Sequence, residues 1–130
     1  MKNFVAIALA IAVSVGFAGS AFAQDPAAGE NVFKKCRACH QIGEGAKSGV
    51  APHLNGLIGR LAGSIEGYNY SAANKNSGVT WTEDAFKKYI ADPKGFMPGN
   101  KMAFAGLKDA KDIDDLAAYL KQYGPDGKKI

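Results

Sequence analysis

The sequence predicts a small all-α domain in which several short helices are joined by long loops. Three observations lead there. Apolar residues recur at helical spacing in short segments. The glycine-rich stretches between those segments hold no sustained period. No strand pair, internal repeat or second domain can be traced along the 130 residues, a length that suits one domain.

The first 23 residues stand apart from that domain. Met1-Lys2-Asn3 is a short basic start, Phe4 to Phe17 is almost wholly apolar, and Ala21-Phe22-Ala23 has the small-x-small form of a signal-peptidase site. Residues 1–23 are therefore expected to be a cleaved secretory signal, and 24–130 the mature domain, starting at Gln24. The alternative is a retained anchor. Gly16, Gly19 and Ser20 shorten the apolar run below the roughly 20 residues a span prefers, and no stop-transfer charges flank it. The remainder holds no long apolar run and is not expected to be membrane-embedded. Its charge is only mildly basic, 16 Lys and Arg against 12 Asp and Glu over the whole chain. No basic block alternates with aromatics, so a nucleic-acid partner is not expected either.

Within the domain, Pro26 to Lys35 reads as the first helix, with proline suited to the opening turn and Val32, Phe33 and Cys36 at helical spacing. Residues 42–64 are glycine-rich and should be irregular. Ser71 caps a short helix through Lys75, stopped near Gly78. Thr80-Trp81-Thr82-Glu83 has the capping-box form, and Ala85, Phe86, Tyr89 and Ile90 follow on one face. Asp92-Pro93 should end that helix. Residues 94–108, with Pro98-Gly99 and Gly106, form a second irregular loop. The last helix is expected over 111–123, with Ile113, Leu116, Ala117 and Leu120 as its apolar stripe, and Gly124-Pro125 stops it.

Cys36-Arg37-Ala38-Cys39-His40 closes the first helical segment and poses the chemical question. A disulfide across two intervening residues closes little chain and adds little stability. A thioredoxin-like pair would open a helix after a strand, whereas the residues before Cys36 read as helix. Zinc needs three or four ligands, and beyond these three residues the only other histidine is His53. Attachment of a c-type haem uses all three: two thioethers fix the vinyl groups and the imidazole reaches the iron. An internal cofactor also helps a domain of about 100 residues, which buries only about two-thirds of its surface. It gives the long loops something to wrap.

With His40 alone the iron keeps an open position, which invites oxygen chemistry or ligand sensing. A second protein ligand closes the iron and favours electron transfer. Met97 and Met102, both in the Pro98-Gly99 loop, and His53 are the candidates. Spacing alone does not choose among them, because all three lie on irregular backbone and a methionine ordinarily fills core.

The stretches "GENVFKKCRACH", "APHLNGLIGR", "YSAANKNSGVTWTEDAFKKYI", "DPKGFMPGNKMAFAGLK" and "DLAAYLKQY", in this order, cover nearly all of residues 29–123. With them the chain resembles the class I cytochromes c, specifically the bacterial cytochrome c2 group, which is similar to mitochondrial cytochrome c. The resemblance implies the small cytochrome c fold around one haem c held through Cys36 and Cys39. It implies His40 and Met102 as axial iron ligands, leaving Met97 as loop core. Tyr89 would direct its hydroxyl at the Met102 sulfur, and Pro52 its carbonyl at His40 Nδ1–H, as partners of metal ligands do. Arg60, Tyr70 and Trp81 match positions that hold the haem propionates, whose buried carboxylates need charge or donors. Asn74 matches a buried hydrogen-bond network near the methionine. Gly29 and Phe33 would pack on Leu116 and Tyr119. The chain departs from the family where Ala51 precedes Pro52 and where His53 and Asn55 stand exchanged.

The implied function is one-electron shuttling by a monomer in the periplasm, not enzymatic catalysis. The donor would be the cytochrome bc1 complex and the acceptor a photosynthetic reaction centre or terminal oxidase. Lys34, Lys35, Lys94, Lys101 and Lys108 match positions around the exposed haem edge that dock acidic partners transiently. A peroxidase-like enzyme or ligand sensor would instead leave Met102 unbound, but no acid/base pair stands beside the haem motif. A thiol redox protein using Cys36 and Cys39 is the third reading.

Overall fold

Asp25 caps the first of the described helices. Its carboxylate accepts from the backbone N–H groups of Ala27 at 3.0 Å and Ala28 at 3.3 Å, and Pro26 fills the first turn, where no N–H is needed. In the computed structural model, which describes residues 10–14 and 24–130, this opens α1, Pro26–Phe33. The expected secretory segment, apart from 10–14, lies outside the described residues. Four further helices follow: α2 (Ala72–Lys75), α3 (Glu83–Ala91), α4 (Pro93–Phe96) and α5 (Ala110–Lys121). Among the described residues β pairing is limited to two isolated bridges, Leu61 with Thr80 and Tyr123 with Lys129. No helix described is long and apolar enough to cross a membrane.

The core is built where α1 crosses α5. Phe33, Leu116 and Leu120 are fully buried there, and the Phe33 and Tyr119 rings lie 5.3 Å apart. Gly29 permits the close approach: a Cβ on it would overlap the Asp115 carbonyl and come within 2.8 Å of the Tyr119 Cβ. Asp115, only 2% exposed, ties the same crossing electrostatically. It accepts from the Lys111 ammonium at 2.6 Å and from the Asp25 N–H at 2.9 Å, and these bonds, the Lys111 one foremost, hold its carboxyl below the ordinary range.

Helix α3 leans on α5 through charge. Lys87 bridges Glu83 at 3.3 Å and Asp114 at 2.9 Å, while Glu83 also accepts from Gln24 at 2.5 Å and from Lys121 at 3.0 Å. The Gln24 bond first, then the Lys121 bond, hold the Glu83 carboxyl at about 2, against an ordinary 4.5. A carboxylate depressed by folding stabilises the native state above its unfolded pKa and loses that contribution as pH falls through the folded one. Urea midpoints should therefore fall between pH 4.5 and 2, and Glu83→Gln should flatten that decline. An unchanged slope in the variant would show that Glu83 is not responsible.

Four expectations need correction. Helix α1 ends at Phe33, and the chain continues in turns that carry the cysteines, with the His40 N–H bonded to the Cys36 carbonyl at 2.9 Å. The cap of α3 is Thr82, whose hydroxyl accepts from Ala85 N–H at 3.1 Å, not Thr80, which pairs with Leu61 instead. Residues 94–108 are not irregular throughout, because Pro93 ends α3 and also begins α4, with Asp92 accepting from Gly95 N–H at 3.1 Å. The last helix runs Ala110–Lys121, slightly earlier than its stripe suggested.

Candidate haem site

The turn after α1, the loop around Pro52, the 68–74 segment and the 100–104 loop enclose one cleft of about 230 Å³. Cys36, Cys39, His40, Pro52, Tyr70, Asn74, Tyr89 and Met102 all line it. A smaller recess of about 70 Å³ shares the Pro52, Tyr70, Asn74 and Tyr89 walls and adds Arg60, Trp81 and Phe86. Positions scattered over the sequence from 36 to 102 are thus drawn around a single space.

His40 is oriented by backbone. Its Nδ1 lies 2.7 Å from the Pro52 carbonyl, and because a carbonyl only accepts, the proton sits on Nδ1 and the Nε2 lone pair is left for a metal. Burial pushes the imidazole pKa down, which keeps that lone pair available. On the other side, the Tyr89 hydroxyl donates to the Met102 sulfur at 3.4 Å. Burial raises the Tyr89 phenol to about 12, so it stays a donor at any ordinary pH. Cys36 and Cys39 are free, the first half-buried with its thiol pushed up by burial, the second exposed.

The recess holds polar groups suited to carboxylates. Arg60 donates to the His53 and Asn55 carbonyls at 2.9 and 3.1 Å, which fixes the guanidinium and leaves further N–H groups for a guest. The Tyr70 hydroxyl accepts from Ile65 N–H at 3.2 Å and keeps its own proton to donate. Trp81, only 6% exposed, is held edge-on to Tyr89 with ring centroids 4.8 Å apart. Asn74 Oδ1 is a buried acceptor that meets no partner among the described residues. An orphaned polar atom of that kind calls for a bound group or internal water.

These features fit haem c: two thiols at the mouth, an imidazole with its free nitrogen available, a thioether, and a cationic, donor-rich recess for propionates. A zinc site fits poorly, since no three His, Cys, Asp or Glu side chains cluster among the described residues. The two methionines are now separated by position. Met102 lines the cleft, whereas Met97 is 4% exposed in the hydrophobic core. His53 is only half-buried and lines neither space; its Nδ1 accepts from Asn55 N–H at 3.3 Å.

Sequence reasoning missed two residues. Asn55, buried, pairs in both directions with the Gly43 backbone, at 2.8 and 2.9 Å, and so pins the loop beneath the site. Asn100 lines the cleft and bonds to the Met102 amide. Among the lysines, Lys34, Lys35 and Lys94 are exposed. Lys101 and Lys108 are exposed but tethered: Lys101 donates to the Asn69 carbonyl and lies 4.8 Å over the Tyr68 ring, and Lys108 donates to the Ala91 carbonyl at 2.9 Å.

The sequence matches the family model for cytochrome c over residues 26–124. It is 55% identical to cytochrome c2 of Blastochloris viridis across 99% of both chains. It is 59% identical to a cytochrome c2 of Rhodoplanes tepidamans across 82% of this chain and 99% of that one. The fold superposes on the structure of cytochrome c2 from Rhodospirillum Centenum with a TM-score of 0.74 and 42% identity, covering 78% of this chain and 99% of that one. The chain belongs to the cytochrome c family. It is accordingly an electron-transfer protein and not an enzyme, and its cofactor is a covalently attached haem c, for which Cys36 and Cys39 are the two available thiols.

Proposed function

We propose that the mature chain, residues 24–130 after removal of the 1–23 signal, is a soluble periplasmic one-electron shuttle in which His40 and Met102 would be the two protein ligands of the haem iron. The observation that carries this reading is the paired pinning of the two ligands. In one cleft the Pro52 carbonyl fixes the imidazole and the Tyr89 hydroxyl fixes the thioether. When bound, the haem supplies the reversible one-electron couple. The chain's own residues orient two ligands that need not exchange and keep water from the iron. The thioether raises the potential, and so does burial of the group. Arg60, Tyr70 and Trp81 hold the propionates, and Asn74 completes the network on the methionine side.

A visible spectrum of the oxidised protein tests the reading. The weak near-red sulfur-to-iron band should be present, and the reduced protein should resist carbon monoxide. A protein that lacks the band and takes carbon monoxide readily has an open iron, and the sensor or peroxidase-like reading replaces the shuttle.

The donor is the cytochrome bc1 complex and the acceptor a reaction centre or terminal oxidase, each docked transiently by a monomer of this protein. Lys34, Lys35 and Lys94 offer free charge for this, with Lys101 and Lys108 adding tethered charge. Val50, 77% exposed on the cleft wall, gives an apolar centre. Steered association of this type approaches about 10⁸–10⁹ M⁻¹s⁻¹ and falls steeply with salt. Second-order electron transfer to an acidic partner should slow by an order of magnitude or more as salt is raised from about 0.01 M, where the screening length is about 30 Å, to about 0.15 M, where it is about 8 Å. A rate indifferent to salt removes the docking role of the lysines.

A further inference from the structure

We infer that Asn100 is a positioning residue for the Met102 ligand, acting as a two-sided brace between helix α4 and the ligand's own backbone; this rests on the His40/Met102 reading. The side-chain amide of Asn100 donates through Nδ2 to the Pro93 carbonyl at 2.9 Å and the Met97 carbonyl at 2.8 Å. Its Oδ1 accepts from the Met102 N–H at 2.9 Å. The assignment of nitrogen and oxygen is forced by the partners, because two carbonyls can face only a donor and an N–H only an acceptor.

Both Pro93 and Met97 are buried and anchored. Pro93 is fully buried at the first turn of α4, and Met97 is 4% exposed in the core. Asn100 itself is half-buried on the cleft wall. The brace therefore ties the Met102 amide to the buried helix. The backbone adds one bond of its own in the same turn, Asn100 N–H to the Met97 carbonyl at 3.1 Å. Gly99 before it takes a φ of +85°, which favours glycine and sets the direction of the turn.

Residue chemistry limits what can replace this side chain. Alanine removes all three bonds. Aspartate keeps the size and the acceptor for Met102 N–H but turns an anionic oxygen on two carbonyls. Either change frees the thioether to leave the iron more often, and an external ligand that competes with Met102 then binds more tightly. The hydrogen bond from Tyr89 to the sulfur remains in both variants, so the effect belongs to the backbone brace.

The test is imidazole titration of the oxidised holoprotein, read by loss of the near-red band. Asn100→Ala should bind imidazole at least about tenfold more tightly than the native protein, equivalent to about 1.4 kcal/mol. Asn100→Asp should move in the same direction, and serves if the alanine variant folds poorly. The control is Ala117→Gly, a buried α5 substitution away from the cleft, which should lower the unfolding midpoint and leave imidazole affinity unchanged. Unmoved imidazole affinity in both Asn100 variants overturns the inference while the native band still supports the ligands. An equal gain in Ala117→Gly also overturns it, since general loosening then explains the effect. A native protein without the band removes the ligand reading and this inference together.

Discussion

Met102→Ala should abolish the near-red band and lower the reduction potential by on the order of 0.1 V or more, within the roughly 0.8 V over which axial ligands set haem potentials. Met97→Ala should leave band and potential nearly unchanged and instead destabilise the fold. The contrast follows from burial. Met97 is 4% exposed within the core cluster that also holds Tyr89 and Leu107, and truncating such a methionine costs about 2–5 kcal/mol in transfer and cavity terms. Met102 is half-buried on the cleft wall with its sulfur already engaged by Tyr89, so its loss should open the iron more than empty the core. Spectra, potentials and urea midpoints of both variants decide it. A band that survives Met102→Ala but disappears in Met97→Ala would reverse the assignment.

Gly29→Ala should destabilise the protein by about 3 kcal/mol, at the upper end of what overpacking does. Intrinsic preference argues the opposite, since alanine in a helix interior is favoured over glycine by about 1 kcal/mol. Sterics win here because the obstacle is rigid. The new methyl would overlap the Asp115 carbonyl, which belongs to α5 backbone and cannot rotate away as a side chain can. Relief requires the helices to part, which loosens the Phe33–Tyr119 contact and the Asp25–Asp115 hydrogen bond together. The unfolding midpoint of the holoprotein is the measurement. A stability equal to or above the native value would mean that the crossing is slacker than described.

Much of this was legible in the sequence, for identifiable reasons. Helices α1, α3 and α5 announce themselves because each buries one face, so apolar residues must recur at helical spacing. The cleft residues were readable only as a resemblance, since nothing in the spacing of Arg60, Tyr70 and Trp81 requires them to converge. Helix α4 escaped because four residues are too few to show a period and because Pro93 serves as a stop and a start at once. Thr80 and Thr82 both precede acidic residues in a way that suits a cap, and it takes the Thr82 hydroxyl's bond from Ala85 N–H and the pairing of residue 80 with Leu61 to decide between them. Asn100 bonds to partners seven and three residues before it and two after it, offsets that belong to no regular element.

The Gln24 side chain touches Lys121 at 3.3 Å, and both meet Glu83. Gln24 and the end of the last helix are therefore spatial neighbours, and the residues that line the cleft and the recess all lie on the chain between them. Topologically the protein is a purse with a drawstring: one long cord carrying all the chemistry, closed by the helix pair at its two ends. Such a layout separates responsibilities. The α1–α5 crossing and the Gln24–Lys121–Glu83 contact close the loop of chain, while the residues that line the cleft lie on the segments they enclose.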